Sequence, residues 1–416
     1  MPAARPVGPG FFPLDEVLEL GTSRYCPRLV ESIVLLGTLL PFERVPAVLA
    51  FFTQVTITPE TARRLTEAAG AAAVALEAAA VARIERTLPD SPARPAVQLL
   101  SVDGAMVPLV KGEWAEVKTL VVGTVVPGPP SEDDTPTVRT TELSYFSRLA
   151  DADTFGRLAT LETHRRGTLA ATTVCGVTDG APWCQGFLDL HRPDAVRILD
   201  FPHAVGYLSQ AAQARYPDDP RRARTWLTTQ RHTLRHGDPA EVLAALSTCA
   251  AEVAPASPAQ ALIQTALSYL ELRRDQIRYA HFAAAGYPIG SGSVESANKL
   301  VIEARLKGSG MHWARANVNP LACLRAVLCS ERWTEAWPAI WHAWRATTRQ
   351  RASARREARR LALVAVTPAP PASAALPEPM ASAPAPAPPP RPKLVVNGKP
   401  TKDHPWKQGP PLRRAS

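Results

Sequence analysis

The chain lacks the features that mark membrane proteins, secreted proteins and small zinc proteins. No hydrophobic run approaches the roughly 18 residues that a membrane-spanning helix needs. The opening residues, MPAARPVGPG, have no apolar segment of the kind found in secretory signals. The six cysteines include no CxxC pair and no Cys/His spacing of the zinc-site type. With 46% hydrophobic and 20% charged residues, the chain is expected to be a globular, cytoplasmic protein with reduced cysteines.

Positive charge is concentrated towards the C-terminal end. The net charge is +9, and residues 346–416 carry 13 Lys and Arg residues against three acidic residues. The rest of the chain is therefore nearly neutral, so a polyanion would have to be bound by local basic patches together with this segment. Residues 368–392 are almost entirely Pro, Ala and Ser, which cannot form a core. We expect residues 346–416 to be a basic, Pro/Ala-rich disordered tail.

Residues 1–93 have apolar residues at helical spacing. Within them, PFERVPAVLAFFTQVTITPETARRLTEAAGAAA contains two amphipathic segments joined by VTITPET, where Thr58 or Pro59 starts the second helix. This is a helix-turn-helix pattern that would present Arg63 and Arg64 to DNA. Any helical hairpin has the same pattern, so the alanine-rich second helix is equally explained as a packing or dimerising helix.

A mixed sheet is expected after a proline-marked break at 89–95. Three β-type runs follow one another, and two further runs alternate with helical segments. The five runs are 97–110, 117–126, 140–149, 169–177 and 195–199. This order predicts a sheet with an antiparallel first half and a parallel second half, of mixed α+β and α/β class. Five strands in this order suit an RNase H-like fold, with its first part at 94–215.

Two helical regions follow the predicted strands. Residues 216–282 have helical periodicity throughout, broken by Gly and Pro at 237–239 and 255–258, which predicts an all-helical insertion at 216–285. The second part of the core is expected at 286–345, where Tyr287 to Trp313 join a small-residue loop to a helix. The apolar face of that helix is predicted to contain Val294, Ala297, Val301 and Ala304.

Three acidic residues are placed where they can act together. Asp103 lies at the first strand, and Asp179 lies where the fourth strand ends; strands one and four are expected to pair at the centre of the sheet. Glu295 lies in the first turn of the following helix, whose positive end favours the ionised carboxylate. Three carboxylates suit Mg²⁺ or Mn²⁺, and two such ions can promote phosphodiester cleavage.

Each of these acids has an ordinary structural alternative. Asp103 precedes a glycine between apolar runs, as in a hairpin turn. Asp179 also precedes a glycine, as in many turns. Glu295 follows Gly292 by three residues, as in a capping box.

Three sequence blocks resemble a known enzyme family. They are VDGAMVPLVKGEWAEVK, VTDGAPWCQGFLDLHRPDAVRILDFPHAVGYL and YPIGSGSVESANKLVIEARLKGSGMHWARANV. In this order they resemble the DDE transposases of bacterial insertion sequences of the ISKra4 type, with Mutator-like and IS256-like enzymes as more distant relatives. The resemblance implies that Asp103, Asp179 and Glu295 are catalytic and bind two Mg²⁺ or Mn²⁺ ions. It implies cleavage of transposon ends and strand transfer into target DNA.

Other residues are assigned accessory roles by the same resemblance. Asp200 and His203, in DFPH, match a C/D-x-x-H motif. Asp200 is also a rival to Asp179 for the role of second catalytic acid. The alternative for His203 is a buried structural histidine. Trp226 resembles a tryptophan near the cut DNA end, with core packing as the alternative. Glu303 is a less favoured rival to Glu295. Candidate DNA-backbone contacts, unless they form only a solvated basic face, are Lys299, Arg305, Lys307 and Arg315.

The resemblance predicts a transposase that holds double-stranded DNA as a homodimer or higher oligomer, at the nucleoid when DNA-bound. One alternative is a catalytically inactive, sequence-specific DNA-binding protein derived from such an enzyme. Another is a metal-dependent nuclease that cuts without joining.

Overall fold

The computed structural model describes residues 25–90, 93–129, 137–366, 395–396 and 399–400. The described residues up to 355 belong to one compact unit, and those from 356 onward belong to a second. The second unit contains the end of a long helix and a short antiparallel strand pair, Val395–Val396 with Lys399–Pro400.

Three helices, α1 to α3, precede the sheet. They are Pro27–Leu39, Val45–Thr53 and Pro59–Thr87. Gln54 ends α2 in a left-handed conformation, and the Thr58 side chain accepts a hydrogen bond from the Thr61 amide at the start of α3. The predicted pair of helices is therefore present with the expected start of its second member.

The helix α3 is a core helix. Among the described helices, α3 is the one whose length and mean hydropathy would allow it to cross a membrane, although charged residues interrupt its apolar runs. Most of its buried apolar residues belong to the same hydrophobic cluster as α1, strand residues and the helices that follow Glu295, whereas Val81 and Ile84 pack against Leu161. Arg148 in the sheet also forms an ion pair with Glu77 of α3. Residues 25–90 therefore share one core with the sheet.

The sheet has five strands in the order β3-β2-β1-β4-β5. The strands are β1 Val97–Pro108, β2 Trp114–Pro127, β3 Val138–Arg148, β4 Thr173–Thr178 and β5 Val196–Leu199. The pairs β3/β2 and β2/β1 are antiparallel, whereas β1/β4 and β4/β5 are parallel. The predicted mixed sheet, with β1 and β4 paired at its centre, is confirmed.

Helices cover both faces of this sheet. Helices α4 (Ala152–Arg165) and α5 (Pro182–His191) pack on one face with Leu100 and Leu120. The other face carries α6 (Phe201–Arg215) and the helices of the insertion, which share a cluster with β1, β4 and β5. The insertion helices are α7 Pro220–His236, α8 Pro239–Glu252, α9 Pro258–Glu271 and α10 Tyr279–Ala284. The breaks before α8 and before α9 fall where Gly and Pro predicted them, whereas the break at 272–278, before α10, was not predicted.

The helical segment that carries Glu295 changes its winding. Helix α11 (Gly292–Ala297) continues into a π-helical turn, Asn298–Glu303, and then into α12 (Ala304–Leu306). A π turn places an extra residue in the helix and rotates the following side chains. As a result Arg305 is buried and Ala304 is exposed, so the predicted apolar face is wrong at its last position.

Two longer helices complete the described chain. They are α13 (Arg315–Cys329) and α14 (Trp333–Val366). Helix α14 continues through residues 346–366, so the disorder expected from residue 346 onward is wrong for that stretch. The Pro/Ala segment 368–392 lies outside the described residues.

We expect Gly70→Ala to lower the free energy of unfolding by about 1–3 kcal/mol, the usual cost of overpacking. A Cβ at Gly70 would lie 2.4 Å from the backbone oxygen of Pro320 in α13. Chemical denaturation measures the change. Gly206→Ala is the matched control, because a Cβ there meets no atom within 4 Å. Replacing a glycine by alanine within a helix should raise the free energy of unfolding by about 0.5–1 kcal/mol. Equal effects at both sites would contradict the close contact between α3 and α13.

Candidate active site

Asp103 and Asp179 are brought together by the parallel pairing of β1 and β4. Each paired residue of β4 lies 76 positions after its partner in β1, as in the pair Leu100 and Gly176. Asp103 and Asp179 each lie three residues beyond this last pair, Asp103 within β1 and Asp179 just after the end of β4. Neighbouring strands are about 4.8 Å apart, so the two acids lie at the same end of adjacent strands. Asp103 pairs with Thr119 inside β2, so the hairpin-turn alternative for Asp103 is wrong.

The carboxylate of Asp179 is held in the loop that follows β4, residues 179–181, which we call the Asp179 loop. Its Oδ1 accepts a hydrogen bond of 2.9 Å from the Ala181 amide. The Cys184 Sγ lies 3.4 Å from the same Oδ1 and 3.8 Å from the carbonyl oxygen of Val102, next to Asp103. Gly180 has a φ of 78°, so the predicted turn is also present. Asp179 is thus a turn residue with a carboxylate held beside β1.

Glu295 reaches the same region through its helix. Asn298, three residues later, donates a hydrogen bond of 2.9 Å from Nδ2 to Oδ2 of Asp103. Glu295 is exposed and lies one turn before Asn298, and its charge acts on the Asp103 carboxylate. The helix is preceded by Ser291, whose side chain forms no cap hydrogen bond. The predicted capping box, with Gly292 as N-cap, is therefore absent.

The three acids belong to one electrostatic site. Burial raises the pKa of Asp103, and repulsion from Asp179 and Glu295 raises it further. Hydrogen bonds from the Gly104 amide and the Asn298 side chain oppose this shift. The pKa of Asp103 therefore responds to both of the other predicted carboxylates.

The carboxylate oxygens of this site suit a hard divalent cation, although the three side chains are not close enough together to form a metal-binding cluster. Among the described residues, no group of three or more His, Cys, Asp or Glu side chains stands close enough to hold a metal ion. Mutual repulsion disfavours close approach of three carboxylates when no cation is between them. The buried Oδ1 of Asn298, which has no hydrogen-bond partner, points to a further polar group that belongs at this site.

Asp200 has a structural role that separates it from the acidic site. Its side chain is only 3% exposed. The Oδ2 accepts a 2.8 Å hydrogen bond from the His203 amide at the start of α6, and Oδ1 accepts a 2.6 Å hydrogen bond from the Ser291 amide. Both carboxylate oxygens are therefore engaged by backbone amides. This arrangement favours Asp179 over Asp200 as the second acid.

His203 and Trp226 are both only partly exposed. The His203 ring lies 5.4 Å from the Tyr207 ring and 5.9 Å from the Tyr269 ring, measured between centroids. Trp226 packs against the hydrophobic cluster formed by the insertion and the sheet. Core packing, the alternative for Trp226, is thus observed, while its contact with DNA stays a prediction.

The cations predicted to contact DNA differ in their exposure and in their ion pairing. Arg305 is 1% exposed, so the prediction that it contacts DNA backbone at the surface is wrong. The π turn explains this burial, because it rotates residue 305 into the core. Lys307 is paired with Glu303 at 2.9 Å, and Arg63 is paired with both Glu60 and Glu67. The exposed candidates outside the described ion pairs are Arg64, Lys299 and Arg315.

Comparison with models of known protein families found none that matches this chain. Comparison with curated proteins also found no match. Support for a function therefore comes from the three sequence blocks and from the geometry of the acidic site.

Three residues at this site were missed by reasoning from the sequence. Asn298 carried a signal, because it follows Glu295 by three residues on the same helix. Tyr269 and Arg273 contact the Asp179 loop from the helical insertion. They carried no signal, because some 90 residues separate them from that loop in the sequence.

We expect Asp103→Asn to raise the free energy of unfolding at pH 7. The pKa of Asp103 is raised in the folded protein, so its ionised carboxylate lowers the free energy of unfolding at pH values above that pKa. This destabilisation disappears as the pH falls towards the ordinary pKa of an aspartate. The stabilisation should therefore shrink between pH 7 and pH 4.5. Urea denaturation at the two pH values measures it.

Asp200→Asn is the contrasting variant. The substitution replaces one carboxylate oxygen by an amide NH₂ group, which would face one of the two backbone amides that donate to Asp200. Because two donors cannot form a hydrogen bond, the free energy of unfolding at pH 7 should fall by about 2 kcal/mol. A loss of stability in Asp103→Asn at pH 7 would contradict the electrostatic description of the site.

Proposed function

We propose that this chain is a DDE transposase with an RNase H-like catalytic core. The observation that supports the proposal is a pair of contacts at Asp103: Cys184 lies against both Asp179 and the carbonyl of Val102, and Asn298, one turn after Glu295, donates a hydrogen bond to Asp103. The strand order β3-β2-β1-β4-β5 supports the RNase H-like assignment, because it is the order expected for that fold. The three sequence blocks that resemble ISKra4-type transposases each contain one of these acids.

Asp103, Asp179 and Glu295 would hold Mg²⁺ or Mn²⁺. Such ions, when bound, activate a water or a 3′-hydroxyl and stabilise the leaving oxygen of a phosphodiester. Asn298 orients the Asp103 carboxylate through its hydrogen bond to Oδ2. The partial burial of Asp103 lowers the local dielectric, which strengthens its attraction for a cation. The proposed reaction is cleavage of transposon ends followed by strand transfer into target DNA.

The proposed partners are double-stranded DNA and a second copy of the chain. Arg64, Lys299 and Arg315 are exposed cations that can contact DNA phosphates. Lys299 is the nearest of them to Glu295 in the sequence, on the same helical segment. A transposase must hold two DNA ends at once, which a homodimer or higher oligomer would achieve.

We expect Asp103→Asn, Asp179→Asn and Glu295→Gln each to lower DNA cleavage by about 100-fold or more. Each removes a carboxylate proposed to hold a catalytic metal ion, and losses of this size are typical when a group that supports charge stabilisation in the transition state is removed. The measurement is end cleavage and strand transfer with Mg²⁺, on DNA carrying the flanking repeats of the native locus.

Glu303→Gln is the matched control for Glu295→Gln. Glu303 lies on the same helical segment and pairs with Lys307, so its loss should leave cleavage unchanged. Wild-type protein that binds the repeats but neither nicks nor joins them with Mg²⁺ or Mn²⁺ would favour an inactive DNA-binding protein. Cleavage without joining would favour a nuclease.

A further inference from the structure

The Asp179 loop is held from outside the sheet by helix α9 and the residues just after it. The hydroxyl of Tyr269 donates a hydrogen bond to the backbone oxygen of Asp179. The Nη2 of Arg273 donates a hydrogen bond of 2.7 Å to the backbone oxygen of Gly180. Two consecutive carbonyl groups are therefore fixed by two side chains that lie four residues apart in the helical insertion.

These two side chains support each other. The Arg273 guanidinium lies 3.7 Å from the centroid of the Tyr269 ring, and its Nη1 donates a 3.1 Å hydrogen bond to the Tyr269 carbonyl. The Tyr207 ring stacks on the Tyr269 ring, with centroids 4.1 Å apart and planes inclined by 18°.

The loop fits closely against this pair. A Cβ at Gly180 would lie 2.5 Å from Nε of Arg273 and 2.9 Å from the hydroxyl oxygen of Tyr269. The positive φ of Gly180 also disfavours any other residue. The loop conformation is therefore restricted both by its own backbone and by the contact with the insertion.

We propose that Tyr269 and Arg273 are positioning residues, which hold the Asp179 loop so that its carboxylate faces Asp103 and binds a divalent cation. Side chains that orient the ligands of a metal contribute strongly to metal affinity. The Asp179 carboxylate itself accepts a hydrogen bond from within the loop, from the Ala181 amide, so its direction depends on the loop backbone. This inference rests on the proposed function, and it gives the helical insertion a direct part in forming the acidic site.

We expect Tyr269→Phe to weaken Mn²⁺ binding about tenfold, measured by calorimetry on the full chain without DNA. The substitution keeps the aromatic stack and removes only the hydroxyl that reaches Asp179. Tyr207→Phe is the matched control, because it removes a hydroxyl from the adjacent stacked ring, which makes no described hydrogen bond. The control should bind Mn²⁺ as wild type does.

Arg273→Gln and Arg274→Gln form a second matched pair. Arg274 follows directly in the sequence and pairs with Glu271 on the surface, whereas Arg273 binds the Gly180 carbonyl. Arg273→Gln should weaken Mn²⁺ binding, while Arg274→Gln should not. Thermal unfolding of all four variants shows whether a loss of affinity accompanies general destabilisation.

The results separate this inference from the proposed function. Wild-type protein that cleaves DNA, with Tyr269→Phe and Arg273→Gln both binding Mn²⁺ as tightly as wild type, would overturn the positioning role alone. Wild-type protein that neither binds Mn²⁺ nor cleaves DNA would overturn the proposed function and this inference together. Weaker binding in Tyr269→Phe at an unchanged melting temperature, with Tyr207→Phe like wild type, would establish the role.

Discussion

The parallel pairing of β1 with β4 is the constraint on which the acidic site depends. It places Asp103 and Asp179 at the same end of the two strands, because each lies three residues beyond the last pair, Leu100 and Gly176. A shift of one residue in this pairing would move the two acids out of this alignment. The pairing is secured by buried apolar residues on both faces of the sheet, including Leu99 and Leu100. The position of two acids is therefore determined by the packing of the whole sheet.

The third acid is placed by a helix that is anchored at both ends. At its beginning, the Ser291 amide is bound by Asp200, which also caps α6. Asp200 thus connects the end of β5, the start of α6 and the start of the Glu295 helix through one buried carboxylate. At the other end, the π turn directs Arg305 into the core. These contacts hold the intervening turn, and Asn298 within it, against Asp103.

Arg305 is a buried cation that forms no ion pair among the described residues, and only the charge of Glu43 opposes the lowering of its pKa. Its Nε donates a 3.1 Å hydrogen bond to the Gly37 carbonyl, and its guanidinium lies 4.5 Å from the ring centroid of Phe42 and 5.1 Å from that of Trp313. Burial, together with repulsion from Arg325, lowers its pKa to about 10. Aromatic faces and a carbonyl offset only part of the cost of desolvation. This residue ties α1 to the segment that carries Glu295.

The sequence by itself determined the mixed sheet, the order of its strands and two breaks of the helical insertion, because these follow from local periodicity and from Gly and Pro. It also determined the choice of Asp103, Asp179 and Glu295 as candidates. Only the tertiary structure decided that Arg305 is buried, that Asp200 is a backbone-binding residue and that Tyr269 and Arg273 hold the Asp179 loop. The π turn has no clear signature in residue spacing, and the other contacts join residues some 90 positions apart. Such contacts arise from packing between elements, which local sequence patterns do not encode.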